Sequence, residues 1–188
     1  MSSKIDRRKK YTRMMLKDSL MTLLKTKDIS SITVKELCAL ADINRSTFYS
    51  HFTDQFDLLN KIEDEIIEDM AGYLNQYTYK KEEDELHMIQ DLVEYFASIE
   101  EVCKTLLHER TDTTFQKKAT DFAHQFFLKN WRDVEQFDKE LSEYISTFII
   151  NGCIHVIKRW LNNGMDKSPK EIAEMINSLI HKGLLGVV

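Results

Sequence analysis

A dense run of short polar and basic side chains lies between residues 45 and 51. Hydroxyls, an imidazole and a guanidinium can donate to phosphate oxygens, and arginine can pair with the edge of a guanine base. Short side chains also let a helix come close to the major groove of DNA. The residues with this chemistry are Arg45, Ser46, Thr47, Tyr49, Ser50 and His51.

Other kinds of chemistry lack residues at the spacing that they need. The histidines at 87, 108, 124 and 155 include no pair four residues apart and no carboxylate–cysteine group of ligand spacing, so no metal site is expected. The chain has no G-x-S-x-G, Walker A or HExxH motif, and its five glycines are isolated. We therefore expect neither an enzyme nor a bound cofactor.

The cysteines and the apolar runs bear on the compartment. Cys38, Cys103 and Cys153 are odd in number and far apart, which indicates a reducing environment without a disulfide framework. The first ten residues lack the apolar stretch of a secretory signal, and no window of 18 residues is apolar throughout. We expect a cytoplasmic protein with no membrane span.

Charge is distributed unevenly along the chain. The net charge of the 188 residues is −5, but residues 1–60 carry +4 and residues 61–188 carry −9. Seven lysines and arginines, Lys10 among them, fall within the first 17 residues. Basic charge at a helix N-terminus opposes the helix dipole. We expect this basic segment to serve a contact outside the fold, with a solvated tail as the alternative.

Few turn residues interrupt the chain, which predicts an all-α fold. Five glycines and one proline in 188 residues are too few for the turns of a sandwich or barrel. Apolar periodicity predicts about nine helices, over roughly residues 6–25, 33–41, 45–52, 54–76, 86–98, 100–108, 112–131, 139–162 and from 169 onwards. Tyr11 is expected on the buried stripe of the first of these helices and Phe56 on that of the fourth.

Residues Thr33–Phe52 have the pattern of a helix-turn-helix. Thr33 and Glu36 have the spacing of a capping box, and Asn44 is a suitable N-cap for the second helix. Two such helices need small residues where they cross and apolar residues between them. The small residues are Cys38 and Ala41, and the apolar ones are Val34, Leu37, Ile43, Phe48 and Phe52.

This segment reads TVKELCALADINRSTFYSHF, follows one amphipathic helix and precedes a Leu-Leu pair at 58–59. In that order of features, residues 5–60 resemble the N-terminal domain of TetR-family transcriptional regulators. The resemblance implies an all-α homodimer. It implies a helix-turn-helix DNA-binding domain over 1–53 and a helical ligand-binding and dimerisation domain over 54–188.

The resemblance also implies roles for single residues. Thr33, Tyr49 and His51 would contact phosphates, with Thr47 also on the recognition helix, and Arg45 is best able to read a guanine edge. Two positions depart from the family pattern. Asp42 stands where glycine is usual, in a turn that we expect near positive φ, and Gln55 stands where lysine is usual. Gln55 keeps a donor for phosphate but loses the charge.

The C-terminal part resembles, more weakly, the effector domains of Firmicute-type members. The likeness lies in FIING at 148–152, Trp160-Leu161 and SPKEI at 168–172. Some members of that group act as co-activators that bind a kinase-like protein partner instead of a small molecule. For a small-molecule site the candidate lining residues are Met88, Tyr95, Phe96, Cys103, Phe122, Phe126 and His155. The alternative is that these residues, which have helical spacing, are ordinary members of the hydrophobic core.

The helix predicted over 139–162 is apolar on nearly every face, so it needs partners on every side. We expect it to form a two-fold four-helix dimer interface with the last helix, the alternative being a central helix in a monomeric bundle. The predicted interface residues are Phe148, Gly152, Val156, Met175, Ile176 and Leu179.

Together these patterns predict a homodimeric transcriptional regulator that binds a palindromic double-stranded DNA operator. We expect a repressor that a small-molecule effector releases from DNA. The alternative is a TetR-like co-activator whose C-terminal domain binds a protein.

Overall fold

A computed structural model of the chain describes residues 2–77, 82–108, 114–130 and 138–184. These ranges contain nine α-helices and no β-strand, which confirms the all-α prediction. The helices are α1 (Ser2–Leu24), α2 (Val34–Ala41), α3 (Arg45–Tyr49), α4 (Gln55–Leu74), α5 (Glu82–Ser98), α6 (Glu100–Leu106), α7 (Phe115–Asn130), α8 (Lys139–Asn162) and α9 (Pro169–Leu184).

The described chain forms two compact units. The first contains residues 2–66 with the described part of 105–115, and the second contains residues 67–104 with the described part of 116–184. This division falls inside α4. The boundary predicted between residues 53 and 54 concerns function, and it stays a prediction.

The first unit has its core around a phenylalanine of α3. Phe48 is fully buried, as are Leu37 of α2 and Leu16 and Leu20 of α1. Helix α1 packs on α2, and α2 packs on α3. Burial of a side chain of this size stabilises the fold by about 1.5–3 kcal/mol. A helix of only five residues is therefore held in place by the core beneath it.

Two side chains that we expected in the core lie at the surface instead. Tyr11 is 59% exposed and Phe56 is 49% exposed. The buried face of α1 passes through Thr12 and Leu16, and an apolar pattern does not count the threonine. Phe56 is in the first turn of α4, two residues before the buried Leu58, and so lies on another side of that helix. Both predictions were wrong.

In the second unit α9 packs against α5 and α8. Helix α9 begins with a capping box: the N–H of Ser168 donates to the Glu171 carboxylate at 2.8 Å, and the N–H of Glu171 donates to the Ser168 hydroxyl at 3.3 Å. The Ser168 hydroxyl also donates to this carboxylate at 2.7 Å, and this bond, followed by that from the Ser168 N–H, lowers the pKa of Glu171. Trp160 is buried near the end of α8, and its indole N–H donates to the Lys167 carbonyl at 2.8 Å. The connection between α8 and α9 is thereby fixed.

Candidate nucleic-acid interface

The helix-turn-helix begins with the predicted capping box. Thr33 Oγ1 accepts from the N–H of Glu36 at 3.2 Å, and the N–H of Thr33 donates to the Glu36 carboxylate at 2.9 Å. Lys27 donates to the same carboxylate at 2.5 Å. The Lys27 bond and then the Thr33 bonds lower the pKa of Glu36 to about 2. The exposed Thr33 hydroxyl also lies 2.8 Å from this carboxylate, so a phosphate would have to share a hydroxyl that is already bonded.

The turn between α2 and α3 uses a left-handed residue. Asp42 has φ 54° and ψ 46°, and its N–H donates to the Cys38 carbonyl, as does that of Ile43 at 2.9 Å. Aspartate is among the few L-residues that enter this region at moderate cost. The positive φ that we predicted at this position is present, and an aspartate adopts it.

Helix α3 is shorter than predicted. It ends at Tyr49, and Ser50 and His51 form a turn instead of continuing the helix to residue 52. The Ser50 hydroxyl donates to the Thr47 carbonyl at 2.7 Å. Asn44 occupies the predicted N-cap position, but its side chain makes no capping hydrogen bond.

The solvent-facing side of α3 carries the predicted polar residues. Arg45, Ser46, Tyr49 and Ser50 are exposed, and Thr47 is half-buried beside them. Spacings of one and four residues place Arg45, Ser46 and Tyr49 on one side of the helix, and the exposed Ser50 follows at its C-terminal end. The Tyr49 ring meets the ring of the buried Phe48 edge-on, with the centroids 5.5 Å apart. The core thus supports the tyrosine while its side chain stays 59% exposed.

His51 lies close to basic residues of α1. Partial burial lowers the pKa of this imidazole, and the positive charges of Arg13 and Lys9 lower it further. Both effects favour the neutral form of the ring in the free protein. The same charges show that the basic side of α1 adjoins the turn that follows α3.

That side of α1 lines an open groove of about 580 Å³, which we call the basic groove. Glu65 of α4 contributes to it: Arg13 Nη2 donates to Glu65 Oε1 at 3.1 Å, and Lys17 Nζ donates to Glu65 Oε2. The lining residues are Lys9, Lys10, Arg13, Met14, Lys17, Asp18 and Glu65.

Gln55 is the first residue of α4 and is half-buried. The residue before it caps the helix, because Asp54 Oδ1 accepts from the N–H of Asp57 at 2.8 Å. In return, Asp57 Oδ2 accepts from the N–H of Thr53 at 2.9 Å. The structure places Gln55 and the other eight predicted DNA-contacting residues in the first compact unit.

Two carboxylates of this unit were missed by the sequence reasoning. Glu65 joins cations 48 and 52 residues away. Glu63 is 1% exposed and accepts from the N–H of Thr114 at 3.1 Å and from its hydroxyl at 2.6 Å. Both partnerships depend on tertiary structure, and no local pattern signals them.

All the predicted ligand-site residues fall in the second unit. They are buried or half-buried, except for one. Met88, Tyr95 and Cys103 are buried, and Phe96, Phe122 and Phe126 are half-buried. His155 is exposed, since it lies on the outer side of α8 with its Nδ1 2.8 Å from the Asn151 carbonyl. It is therefore withdrawn from the set.

A carboxylate that we did not predict reaches this buried region. The Tyr95 hydroxyl donates to Asp69 Oδ2 at 2.9 Å, and the Tyr73 ring lies 5.1 Å from that of Tyr95. Burial, followed by the bond to Asp69, raises the pKa of Tyr95. Burial also raises the pKa of the Cys103 thiol to about 12. Cys103 is thus a neutral, apolar member of the core.

An apolar face of α8 and α9 is exposed. Phe148 is 83% exposed, Leu179 63% and Met175 37%. Gly152 is exposed and a Cβ added there would meet nothing within 4 Å, while Val156 is half-buried.

The predicted interface set changes by two residues. Ile176 is 4% exposed and packs inside its own chain, so it leaves the set. Tyr144, 67% exposed one turn before Phe148, joins it. We call these residues the α8–α9 face.

Neither a metal cluster nor a membrane helix occurs in the ranges that the structure describes. No three histidine, cysteine or acidic side chains there come together as metal ligands. None of the helices described is long and apolar enough to cross a bilayer.

Comparison with known proteins assigns the family. Residues 83–182, more than half of the chain, match a TetR-family model described as "Transcriptional regulator C-terminal region". The chain is 25% identical over 178 residues to YxbF of Bacillus subtilis (strain 168), described as an uncharacterized HTH-type transcriptional regulator. That alignment covers 88% of this chain and 43% of YxbF, so the chain spans less than half of this relative's length.

Two solved structures are similar in fold. A TetR-family regulator from Syntrophomonas wolfei aligns with a TM-score of 0.72 at 16% identity, over 95% of this chain and 97% of its own. The dihydroxyacetone kinase operon activator DhaS aligns with a TM-score of 0.61 at 18% identity, over 92% and 95%. From the family match, supported by the common fold, the chain belongs to the TetR family of transcriptional regulators.

Proposed function

We propose that this regulator binds a palindromic DNA operator as a homodimer and represses transcription until a small-molecule effector releases it. The observation that carries the proposal is the exposed side of α3, where Arg45 and Tyr49 are exposed and the Tyr49 ring contacts the buried Phe48. The basic groove beside it, with Lys10, adds positive charge to the same compact unit, although the whole chain is acidic. A basic surface of this kind attracts the phosphate backbone whatever the base sequence.

Arg45 and Tyr49 are assigned different tasks. An arginine at the start of a recognition helix can donate two hydrogen bonds to guanine and so specify a base. A tyrosine hydroxyl that donates to phosphate fixes register without specifying sequence. Thr33, Ser46, Thr47, Ser50, His51 and Gln55 supply further donors to the backbone or to base edges.

Variants at these two positions test the assignment. Arg45→Ala and Arg45→Lys should both relax base preference at one position of each half-site, by about 1–3 kcal/mol. The lysine variant is the matched control, because it keeps the charge but loses the two-pronged guanidinium. Tyr49→Phe should weaken binding to all sequences alike. Fluorescence anisotropy with a panel of single-base operator variants measures both effects, and unchanged binding by all three proteins would exclude α3 as the recognition helix.

A second subunit would supply the contacts that one short helix lacks. Joining two DNA-binding units raises the effective concentration for the second half-site. The α8–α9 face supports a two-fold interface, because large apolar side chains rarely stand together at the surface without a partner. The effector would bind in the second unit, among Met88, Tyr95, Phe96, Cys103, Phe122 and Phe126. It must bind the two DNA-affinity states unequally in order to shift them.

Regulation through a protein partner is the second candidate. Similarity in fold to DhaS, which is described as an operon activator, supports an activating role, and the protein partner is the part of this candidate that the C-terminal resemblance suggests. In that case an unidentified protein, and no small molecule, would change DNA binding. Native mass spectrometry of the purified chain separates the two: a retained small molecule supports the effector-released repressor.

A further inference from the structure

Glu65 of α4 holds two cations of the basic groove at once. Arg13 donates to one carboxylate oxygen at 3.1 Å and Lys17 donates to the other. The side chains of Arg13, Lys17 and Glu65 are 47%, 24% and 38% exposed. The ion pairs therefore form at a surface that solvent, and a polyanion, can reach.

The groove adjoins the surface assigned to DNA. Arg13 and Lys9 are the charges felt by His51, the residue that ends the turn after α3. Lys17 follows Arg13 by about one turn of α1. A phosphate backbone that extends from His51 along α1 would meet Lys9 and Arg13 first and Lys17 next.

We propose that Glu65 competes with DNA phosphates for Arg13 and Lys17, and thereby limits both the affinity of the regulator for DNA and its salt dependence. The inference rests on the proposed function, with the phosphate backbone as the ligand. A guanidinium donates to carboxylate and to phosphate oxygens in the same way, through short charge-assisted bonds. One anion can thus replace the other without rearrangement of the fold.

The competition has a specific signature in salt titrations. A phosphate contact made by a solvated cation changes the log–log slope of affinity against salt by about 0.9, because counterions leave the DNA. A cation kept by Glu65 does not contribute that contact. Removing the carboxylate frees at least Arg13, the more exposed of the two cations, for one extra contact in each protomer.

Glu65→Gln keeps the shape of the side chain and removes its charge. For a dimer on DNA we expect a slope steeper by about 1.8 if Arg13 alone is released, and by about 3.6 if Lys17 follows. Every additional cation–phosphate pair corresponds to about eightfold tighter binding at 0.1 M salt relative to 1 M. The measurement is anisotropy with a random-sequence duplex over a salt series, because phosphate contacts need no operator.

Glu68→Gln is the matched control. Glu68 is an exposed glutamate of the same helix that forms no salt bridge within the described part of the chain, so it reports the effect of net charge alone. A second arm places Glu65→Gln in a protein that already carries Arg13→Gln and Lys17→Gln. There the change should add nothing beyond what the Glu68 control shows. Exposed ion pairs contribute little to folding, and thermal melts will verify that each variant is folded.

The outcomes separate this inference from the proposed function. Tighter binding with a steeper slope for Glu65→Gln alone supports competition. An unchanged slope, or weaker binding, overturns it and leaves Glu65 as a residue that merely orders the two cations. If the parent protein binds no DNA at low salt, the proposed function fails and this role of Glu65 fails with it.

Discussion

Replacing Leu179 by glutamate should separate the proposed dimer into monomers. This leucine is 63% exposed on α9, and burying a whole leucine side chain is worth about 1.5–3 kcal/mol. Burial of the exposed part against a second subunit is therefore worth about 1–2 kcal/mol in each copy and about 2–4 kcal/mol in the dimer. Losing it weakens dimerisation roughly 30- to 700-fold. The two introduced carboxylates add a desolvation cost.

Light scattering coupled to size exclusion, over a wide series of concentrations, measures the mass of the folded variant. Leu40→Glu is the matched control, because Leu40 is 49% exposed but lies on α2, outside the α8–α9 face. The control should have the mass of the parent protein. A parent that is dimeric, together with a Leu179→Glu variant that is folded and equally dimeric, would refute the assignment of the interface.

Three further changes test the first unit. Because the pKa of His51 lies below its usual 6.5 in the free protein and phosphates favour the charged form, DNA affinity should rise as the pH falls towards and below 6.5, and anisotropy should show His51→Gln losing this rise. Asp42→Val should destabilise the chain by about 1–2 kcal/mol in urea unfolding, since a β-branched residue resists left-handed geometry, whereas Asp42→Gly should stay within about 1 kcal/mol of the parent. Thr114→Val removes a hydroxyl bond to the buried Glu63 and should lower the free energy of unfolding by about 1.5 kcal/mol in the same assay. This value is at the low end for a hydrogen bond to a charged group, because Thr114 is exposed. Thr114→Ser should retain the bond and the stability.

Each of these changes has a result that would contradict its reasoning. An affinity that is flat with pH in the parent protein would mean that His51 meets no phosphate. Equal stability of the valine and glycine variants at position 42 would mean that the turn adopts another conformation. A Thr114→Val protein as stable as Thr114→Ser would show that the hydroxyl contributes nothing to holding Glu63.

Local features of the chain were predictable because neighbouring residues determine them. The capping boxes at Thr33 and Ser168 need only a hydroxyl and a carboxylate three residues apart, and both are formed. The left-handed turn at Asp42 follows from the short link between two helices. The polar residues of α3 were found for the same reason: the apolar spacing that buries Phe48 directs them outward.

Features that depend on tertiary packing were not predictable from one sequence. Tyr11 and Phe56 are apolar and were assigned to the core, but Thr12 occupies the buried face of α1 and Phe56 lies outside that of α4. Periodicity identifies an apolar stripe without stating which edge of it the neighbouring helix covers. The partners of Glu63 and Glu65 are about fifty residues away, and acidic residues on an amphipathic helix are otherwise read as solvent-facing.

Selection of duplexes from a random pool with the purified full chain tests whether a pair of α3 helices reads an operator. We expect enrichment of an inverted repeat whose half-sites are centred about one helical turn, or a multiple of it, apart. The Arg45→Lys protein should lose preference at one symmetric pair of positions in that repeat. A pool that shows no enriched sequence after repeated rounds, although the protein retains duplex DNA at low salt, would contradict sequence-specific recognition by this helix.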